Sequence, residues 1–198
     1  MKKRAGIFLD RDGTINEEVD FLSNPDRLRL IPRSSDAIRD ANMMGFKVFI
    51  ITNQSGIARG VLNEEQLSEI HRGLLATLHE QHAAVDAIYY CPHHPELGIA
   101  PYVQDCNCRK PRTGMLQQAA TEFDVDLSRS FVIGDRMIDV QAGNNSGATP
   151  ILVLSGYGKE ELDLCRQNNV PIAYIANDLF EAMQFVKRTV QHTQPSIC

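Results

Sequence analysis

Short apolar runs recur along the chain at intervals that leave room for a helix between them. The runs 5–9, 48–52, 87–90, 131–133 and 151–154 are rich in branched and aromatic side chains, as strands buried on both faces are. Helical periodicity fills the gaps at 35–44, at a segment running from Asn63 towards His82, and at 115–123 and 137–144. Gly45 has the form of a helix terminator, and Asn63-Glu64-Glu65-Gln66 that of a capping box. A further run at 172–176 predicts a strand, and Asn177 a cap for a last helix from 178 to about 190.

Strands alternating with helices require right-handed crossovers and predict a parallel sheet with helices on both faces. The expected fold is therefore α/β and Rossmann-like, with function at the carboxyl ends of the strands. One domain is expected over 1–190, with 191–198 as a frayed tail. The loop-like stretch 92–101 reads as an insertion and not as a domain boundary.

A length of 198 residues with 43% hydrophobic content suits one compact core. No apolar run approaches the roughly 20 residues of a membrane span. The basic start Met1-Lys2-Lys3-Arg4 precedes a run that stops at Asp10, short of the roughly 7–15 apolar residues of a signal peptide. A cytoplasmic monomer away from the membrane is expected. The net charge of −5, with no block of lysine and arginine, speaks against a nucleic-acid partner. Arg109, Lys110 and Arg136 suit a small anionic substrate instead, because the local field and not the total charge acts on a bound ligand.

Three of the five cysteines fall within 91–108. Cys91-x-His93 and Cys106-x-Cys108, twelve residues apart, supply three thiolates and one imidazole. That set suits a tetrahedral Zn²⁺ with no open position, hence a structural metal. His94 is the alternative ligand to His93 and is otherwise expected to be a solvated loop residue. Cys165 reads as a small packed side chain and Cys198 as a loose terminal thiol.

The polar residues at the strand ends carry the chemistry. Asp10-Arg11-Asp12-Gly13-Thr14 follows the first strand and, taken alone, reads as a turn. Thr52-Asn53-Gln54-Ser55-Gly56 follows the second, with hydroxyl and backbone donors for phosphate oxygens. Arg109-Lys110-Pro111 follows the cysteine loop, and Gly134-Asp135-Arg136-Met137-Ile138-Asp139 follows the fourth strand.

In this order the DxDGT, Thr, Lys and GDxxxD elements resemble the haloacid dehalogenase superfamily of phosphatases, over roughly residues 5–155. The resemblance implies that Asp10 attacks phosphorus to form an aspartyl phosphate and that Asp12 is the general acid and base. It also implies that Thr52 and Lys110 hold the phosphoryl oxygens. Mg²⁺ would be held by the Asp10 carboxylate, the Asp12 backbone carbonyl and Asp135, with Asp139 orienting them. No cap-sized segment follows Thr14 or Gly56, and a zinc loop precedes Lys110. These features resemble capless sugar-bisphosphate phosphatases of the superfamily, with histidinol-phosphate phosphatases as the runner-up. By that likeness a small phosphosugar would contact Glu18, Val19, Asp20, Phe21, Thr52, Asn53, Gln54, Ser55, Arg109, Lys110 and Arg136, the last standing where relatives often carry lysine. Because Cys108 directly precedes Arg109, the zinc loop is expected to preorganise both cations. A zinc-stabilised phosphate-binding protein without chemistry is the alternative of another class. The joint presence of Asp10, Asp12, Lys110 and Asp135 argues against it.

Overall fold

The computed structural model describes residues 3–193. The strands are β1 (Gly6–Leu9), β2 (Lys47–Asn53), β3 (Ala87–Cys91), β4 (Phe131–Gly134), β5 (Thr149–Val153) and β6 (Tyr174–Ala176). The helices are α1 (Ser34–Met43), α2 (Glu64–Glu80), α3 (Gly114–Glu122), α4 (Met137–Ser146), α5 (Gly158–Gln167) and α6 (Leu179–Thr193). Every strand pairing is parallel, in the order β3-β2-β1-β4-β5-β6. The chain winds outward from β1 to β3 and then returns to β4, so a crevice opens at the carboxyl ends of β1 and β4.

Successive strand residues feed two separate cores. Ile7, Leu9, Val48, Ile50, Ile133 and Val153 pack with Ala37 and Ile38 of α1, Leu74 and Leu78 of α2, and Met183 and Val186 of α6. Phe8, Phe49, Ile51 and Val132 point the other way, onto Met115, Leu116 and Ala119 of α3 and Ala142 of α4. Each of the larger buried side chains contributes roughly 1.5–3 kcal/mol. A one-residue slip of β1 would exchange the two faces, so the register that places Asp10 is strongly specified.

The capping box forms as expected: Asn63 Oδ1 accepts from Gln66 N at 2.8 Å, and Gln66 Oε1 from Asn63 N at 2.9 Å. Helix α5 was not anticipated, because its apolar stripe is narrow. Only Cys165 and the partly buried Leu162 pack inward, against Val140 and Leu152. Cys165 is thus the buried packed thiol expected of it. Helix α6 runs to Thr193, past the point where the tail was expected to begin. The rest of that segment, with Cys198, lies outside the described residues. None of the described helices is long and apolar enough to cross a membrane.

Candidate active site

Asp10 leaves β1 with its N–H donating to Ile133 O at 2.9 Å, which ties it to the neighbouring strand end. Lys110 Nζ donates to Asp10 Oδ1 at 2.8 Å and to Ile51 O at 2.7 Å, and pairs with Asp139 Oδ1 at 2.6 Å. Burial alone would push the Lys110 ammonium down; the charges of Asp10 and Asp139 outweigh it and hold the group protonated, with its pKa raised. Asn53 clamps the same residue by its backbone, accepting from Lys110 N and donating to Lys110 O, each at 3.1 Å. Burial pushes the Asp10 carboxyl up to about 6 in spite of Lys110.

Asp135 is fully buried. Its Oδ2 accepts from Tyr157 N at 2.9 Å, whereas its Oδ1 has no hydrogen-bond partner among the described residues. Burial, then Asp10 and Asp139, push its carboxyl up to about 8. Carboxylate oxygens of Asp10, Asp135 and Asp139 come within 4.8 Å of one another. Asp139 is already occupied, by Lys110 on one oxygen and by Arg136 N at 3.0 Å on the other. The oxygens left in want of a cation are those of Asp10 and Asp135, and an orphaned carboxylate oxygen beside a second carboxylate fits a hard divalent metal.

Two glycines make room for this group. Gly13 has φ +79° and Gly156 φ +55°, and a Cβ at either would overlap the Asp135 carboxylate. Ser155 Oγ donates to Gly13 O at 2.7 Å and locks the two loops together. The contribution of the loop after β5 was not anticipated, since it carries no charged residue; Ser155-Gly156-Tyr157-Gly158 was its one signal.

Asp12 faces a cage of donors. Arg11 Nη2 donates to Oδ2 at 2.7 Å, Asn16 Nδ2 to Oδ1 and Gln54 Nε2 to Oδ2, both at 2.9 Å. Burial would raise the Asp12 carboxyl; the Arg11 charge and these bonds outweigh it and hold the pKa below the usual range. Arg11 is 0% exposed and reaches across to His71 on α2, donating from Nη1 to Nε2 at 3.1 Å. Burial, with Arg11, pushes the His71 imidazole down to about 3, so the ring is neutral. Arg11, Asn16 and His71 were not among the expected site residues. Arg11 occupies the unspecified position of the DxDGT element, and His71 lies sixty positions further along the chain.

Above these groups lies a cavity of about 270 Å³ lined by Asp10, Asp12, Glu18, Asp20, Phe21, Thr52, Asn53, Gln54, Ser55, Arg109, Lys110 and Arg136. Those residues include all the expected substrate contacts save Val19, which packs instead on the Leu22 and Ile57 cluster. An apolar side chain in a loop follows the nearest core. Gly56, Arg59 and Ile138 also line the cavity. The Gln54 amide is turned away to Asp12 and to Thr52 Oγ1, at 2.9 Å each. Arg136 lies over the Tyr157 ring, 4.2 Å from its centroid, and Tyr157 Oη donates to Asp20 Oδ1 at 3.0 Å.

The ligand atoms of Cys91, His93, Cys106 and Cys108 converge beside the cavity within 4.8 Å of one another. Neighbouring atoms lie 3.2–3.7 Å apart, close to the edges of a tetrahedron built on Zn–S and Zn–N bonds of about 2.3 and 2.0 Å. Burial pushes the Cys91 thiol up, a cost that a bound cation reverses. His94 departs from the expectation of a solvated residue. It is half-buried, and its Nδ1 accepts from Glu96 N at 3.2 Å and Leu97 N at 2.9 Å. His93 is the imidazole that meets the cysteines, with Nδ1 3.7 Å from Cys91 Sγ and 3.3 Å from Cys108 Sγ, while His94 Nε2 faces Arg59.

Comparison with known proteins agrees with this geometry. Residues 107–182 match the model of the HAD-hydrolase-like family. The D-glycero-D-manno-heptose-1,7-bisphosphate 7-phosphatase of Chlorobaculum tepidum is 38% identical over 92% of this chain and 94% of its own length. The chain belongs to this family of phosphatases. It is a phosphoric monoester hydrolase of haloacid dehalogenase type. The D-glycero-β-D-manno-heptose-1,7-bisphosphate 7-phosphatase of Haemophilus influenzae is 44% identical over 69% of this chain and 74% of its own. Among solved structures, the D,D-heptose 1,7-bisphosphate phosphatase of B. bronchiseptica, complexed with magnesium and phosphate, superposes with a TM-score of 0.82. That protein is 34% identical, over 96% of this chain and 99% of its own.

Proposed function

We propose that the chain hydrolyses the 7-phosphate of D-glycero-D-manno-heptose 1,7-bisphosphate through an aspartyl phosphate on Asp10. The observation that carries the reading is the Asp10 carboxylate, bonded to Lys110 at 2.8 Å in the floor of a cavity with three arginines in its lining. Asp10 and Asp135, with the Asp12 backbone carbonyl, would hold Mg²⁺. Bound there, the ion would neutralise charge on the phosphoryl group and lower the carboxyl pKa values that burial has raised.

An Asp10 oxygen attacks phosphorus in line, the new O–P bond forms and the ester O–P bond breaks. Lys110 and Thr52 bind the transferring oxygens as negative charge develops on them. Asp12 gives a proton to the departing sugar oxygen and takes one from the water that cleaves the aspartyl phosphate. Its lowered pKa suits the second half-reaction directly, and the first requires that a proton reach it before the ester oxygen leaves. The product, the heptose 1-phosphate, would enter nucleotide-heptose synthesis for the lipopolysaccharide core. Cys91, His93, Cys106 and Cys108 would hold Zn²⁺ in a structural role, supported by the four-ligand set with no open position.

Phosphate release with Mg²⁺ tests the reading on both anomers of the heptose bisphosphate and on histidinol phosphate. The bisphosphate should show the highest kcat/KM, and Asp10→Asn should abolish release. A higher kcat/KM for histidinol phosphate would overturn the substrate, and release by Asp10→Asn would overturn the nucleophile.

A further inference from the structure

The cations around the cavity are not equally neutralised. Arg136 faces carboxylates, with Asp135, Glu18 and Glu161 all acting on its charge. Arg59 and Arg109 also line the cavity, and neither has a carboxylate within 4.0 Å among the described residues. Arg109 gives one N–H to His93 O at 3.1 Å. Among the described residues, the hydrogen-bond contact of the Arg59 guanidinium is His94 Nε2, 3.4 Å from Nη2.

The tautomer of His94 decides what that contact is. Nδ1 accepts from two backbone N–H groups, so the neutral ring carries its proton on Nε2. Arg59 Nη2 and His94 Nε2 are then two donors facing each other with no acceptor between them. Both N–H groups lie at the exposed rim of the cavity, where they can donate together to one anionic oxygen. The packing that creates this pair is specific. Ile99 N donates to Ala58 O at 2.8 Å, and a Cβ at Gly98 would overlap the same carbonyl. The zinc loop is thus pressed onto the turn that carries Arg59.

We propose that Arg59 and His94, together with Arg109, form a second phosphate subsite that receives the distal phosphate of the substrate. The inference rests on the reading of the substrate as a sugar bisphosphate and adds two residues that the sequence did not indicate. It divides the cavity by charge. Arg59 and Arg109 on the cavity wall, with His94 beside Arg59, take the distal phosphate, while Glu18 and Arg136, whose charges act on each other, and Asp20, bonded to Tyr157, meet the neutral hydroxyls of the sugar. It also separates the roles of two adjacent histidines: His93 completes the cysteine cluster and His94 stands against Arg59.

The test is kcat/KM for heptose 1,7-bisphosphate and for heptose 7-phosphate, which lacks the distal phosphate, on wild type, Arg59→Gln and Arg59→Lys. The wild type should favour the bisphosphate at least tenfold. Arg59→Gln should cut that ratio at least tenfold, mainly through KM of the bisphosphate, and Arg59→Lys should restore part of it. His94→Gln with wild-type zinc content should also lower the ratio. A ratio in Arg59→Gln within twofold of wild type would overturn the subsite, including when both substrates decline together. If the wild type itself shows no preference, the bisphosphate reading fails and the subsite with it, a result visible without any variant.

Discussion

Lys110 Nζ lies 2.6 Å from Asp139 Oδ1, and both side chains are 1% exposed. The ammonium is therefore shared between Asp10, the proposed nucleophile, and a second buried carboxylate. On the proposed mechanism Asp139 would be a positioning residue, setting where Lys110 stands when Asp10 is consumed in bond formation.

Asp139→Asn should accordingly lower kcat more than tenfold at saturating Mg²⁺ with little change in KM. Lys110 keeps Asp10 and Ile51 O as partners, so the stability loss should be about 2 kcal/mol, below the roughly 3–5 kcal/mol of a fully orphaned buried charge. Urea unfolding and steady-state rates check both figures. A wild-type kcat in the variant would remove Asp139 from the mechanism.

His71 supplies a pH dependence of stability. Its folded pKa of about 3 lies below the 6.5 of a free imidazole, so below about pH 6.5 the unfolded chain takes up a proton that the folded chain refuses. The stabilisation is complete above that pH and is lost as the pH falls from about 6.5 towards 3, at up to about 1.4 kcal/mol per unit. His71→Gln keeps an acceptor for Arg11 but does not titrate. The wild-type-minus-variant stability, measured by denaturant unfolding from pH 7.5 to 4.5, should fall with acidification; a flat difference would mean that the fold leaves the His71 pKa at its unfolded value.

Gly156→Ala should damage the site without dissolving the fold. The residue sits at φ +55°, and its new methyl would press on the Asp135 carboxylate. A non-glycine residue in this region costs roughly 1–2 kcal/mol. The concentration of Mg²⁺ for half-maximal activity should rise at least tenfold, read from rates across a Mg²⁺ titration, while circular dichroism stays native.

Loss of the Zn²⁺ proposed for the cysteine cluster should act on substrate binding more than on turnover. The sequence suggested that the loop preorganises both Arg109 and Lys110. In the structure Lys110 has anchors of its own in Asn53, Asp10 and Asp139. Arg109 by contrast leans on the carbonyl of His93. The Cys106→Ser and Cys108→Ser double variant, confirmed zinc-free by metal analysis, should show KM raised several-fold and kcat lowered less than threefold. A collapse of kcat at unchanged KM would return the role to Lys110.

The fold and the candidate reacting groups were legible in the sequence for a shared physical reason. Strands buried on both faces read as bare apolar runs, and in a parallel sheet the polar residue that ends each run falls on one edge. Asp10, Thr52 and Asp135 announce themselves in this way, Lys110 follows the cysteine loop, and the paired spacing of Cys91, His93, Cys106 and Cys108 marks its own cluster. Helix α5 was silent because its core-facing stripe is only two residues wide.

What the tertiary structure alone decided are the partnerships between residues far apart in the chain: Arg11 with His71, Asn53 with the Lys110 backbone, Gly156 with Asp135, and Arg59 with His94. Each depends on strand order and loop packing, which bring together groups that no local pattern relates. The chemistry of Asp10 was determined by the residues at its strand end. Its charge state, the stance of Asp12 and the division of the cavity between cations and carboxylates come from burial and neighbours, which exist only once the chain has folded.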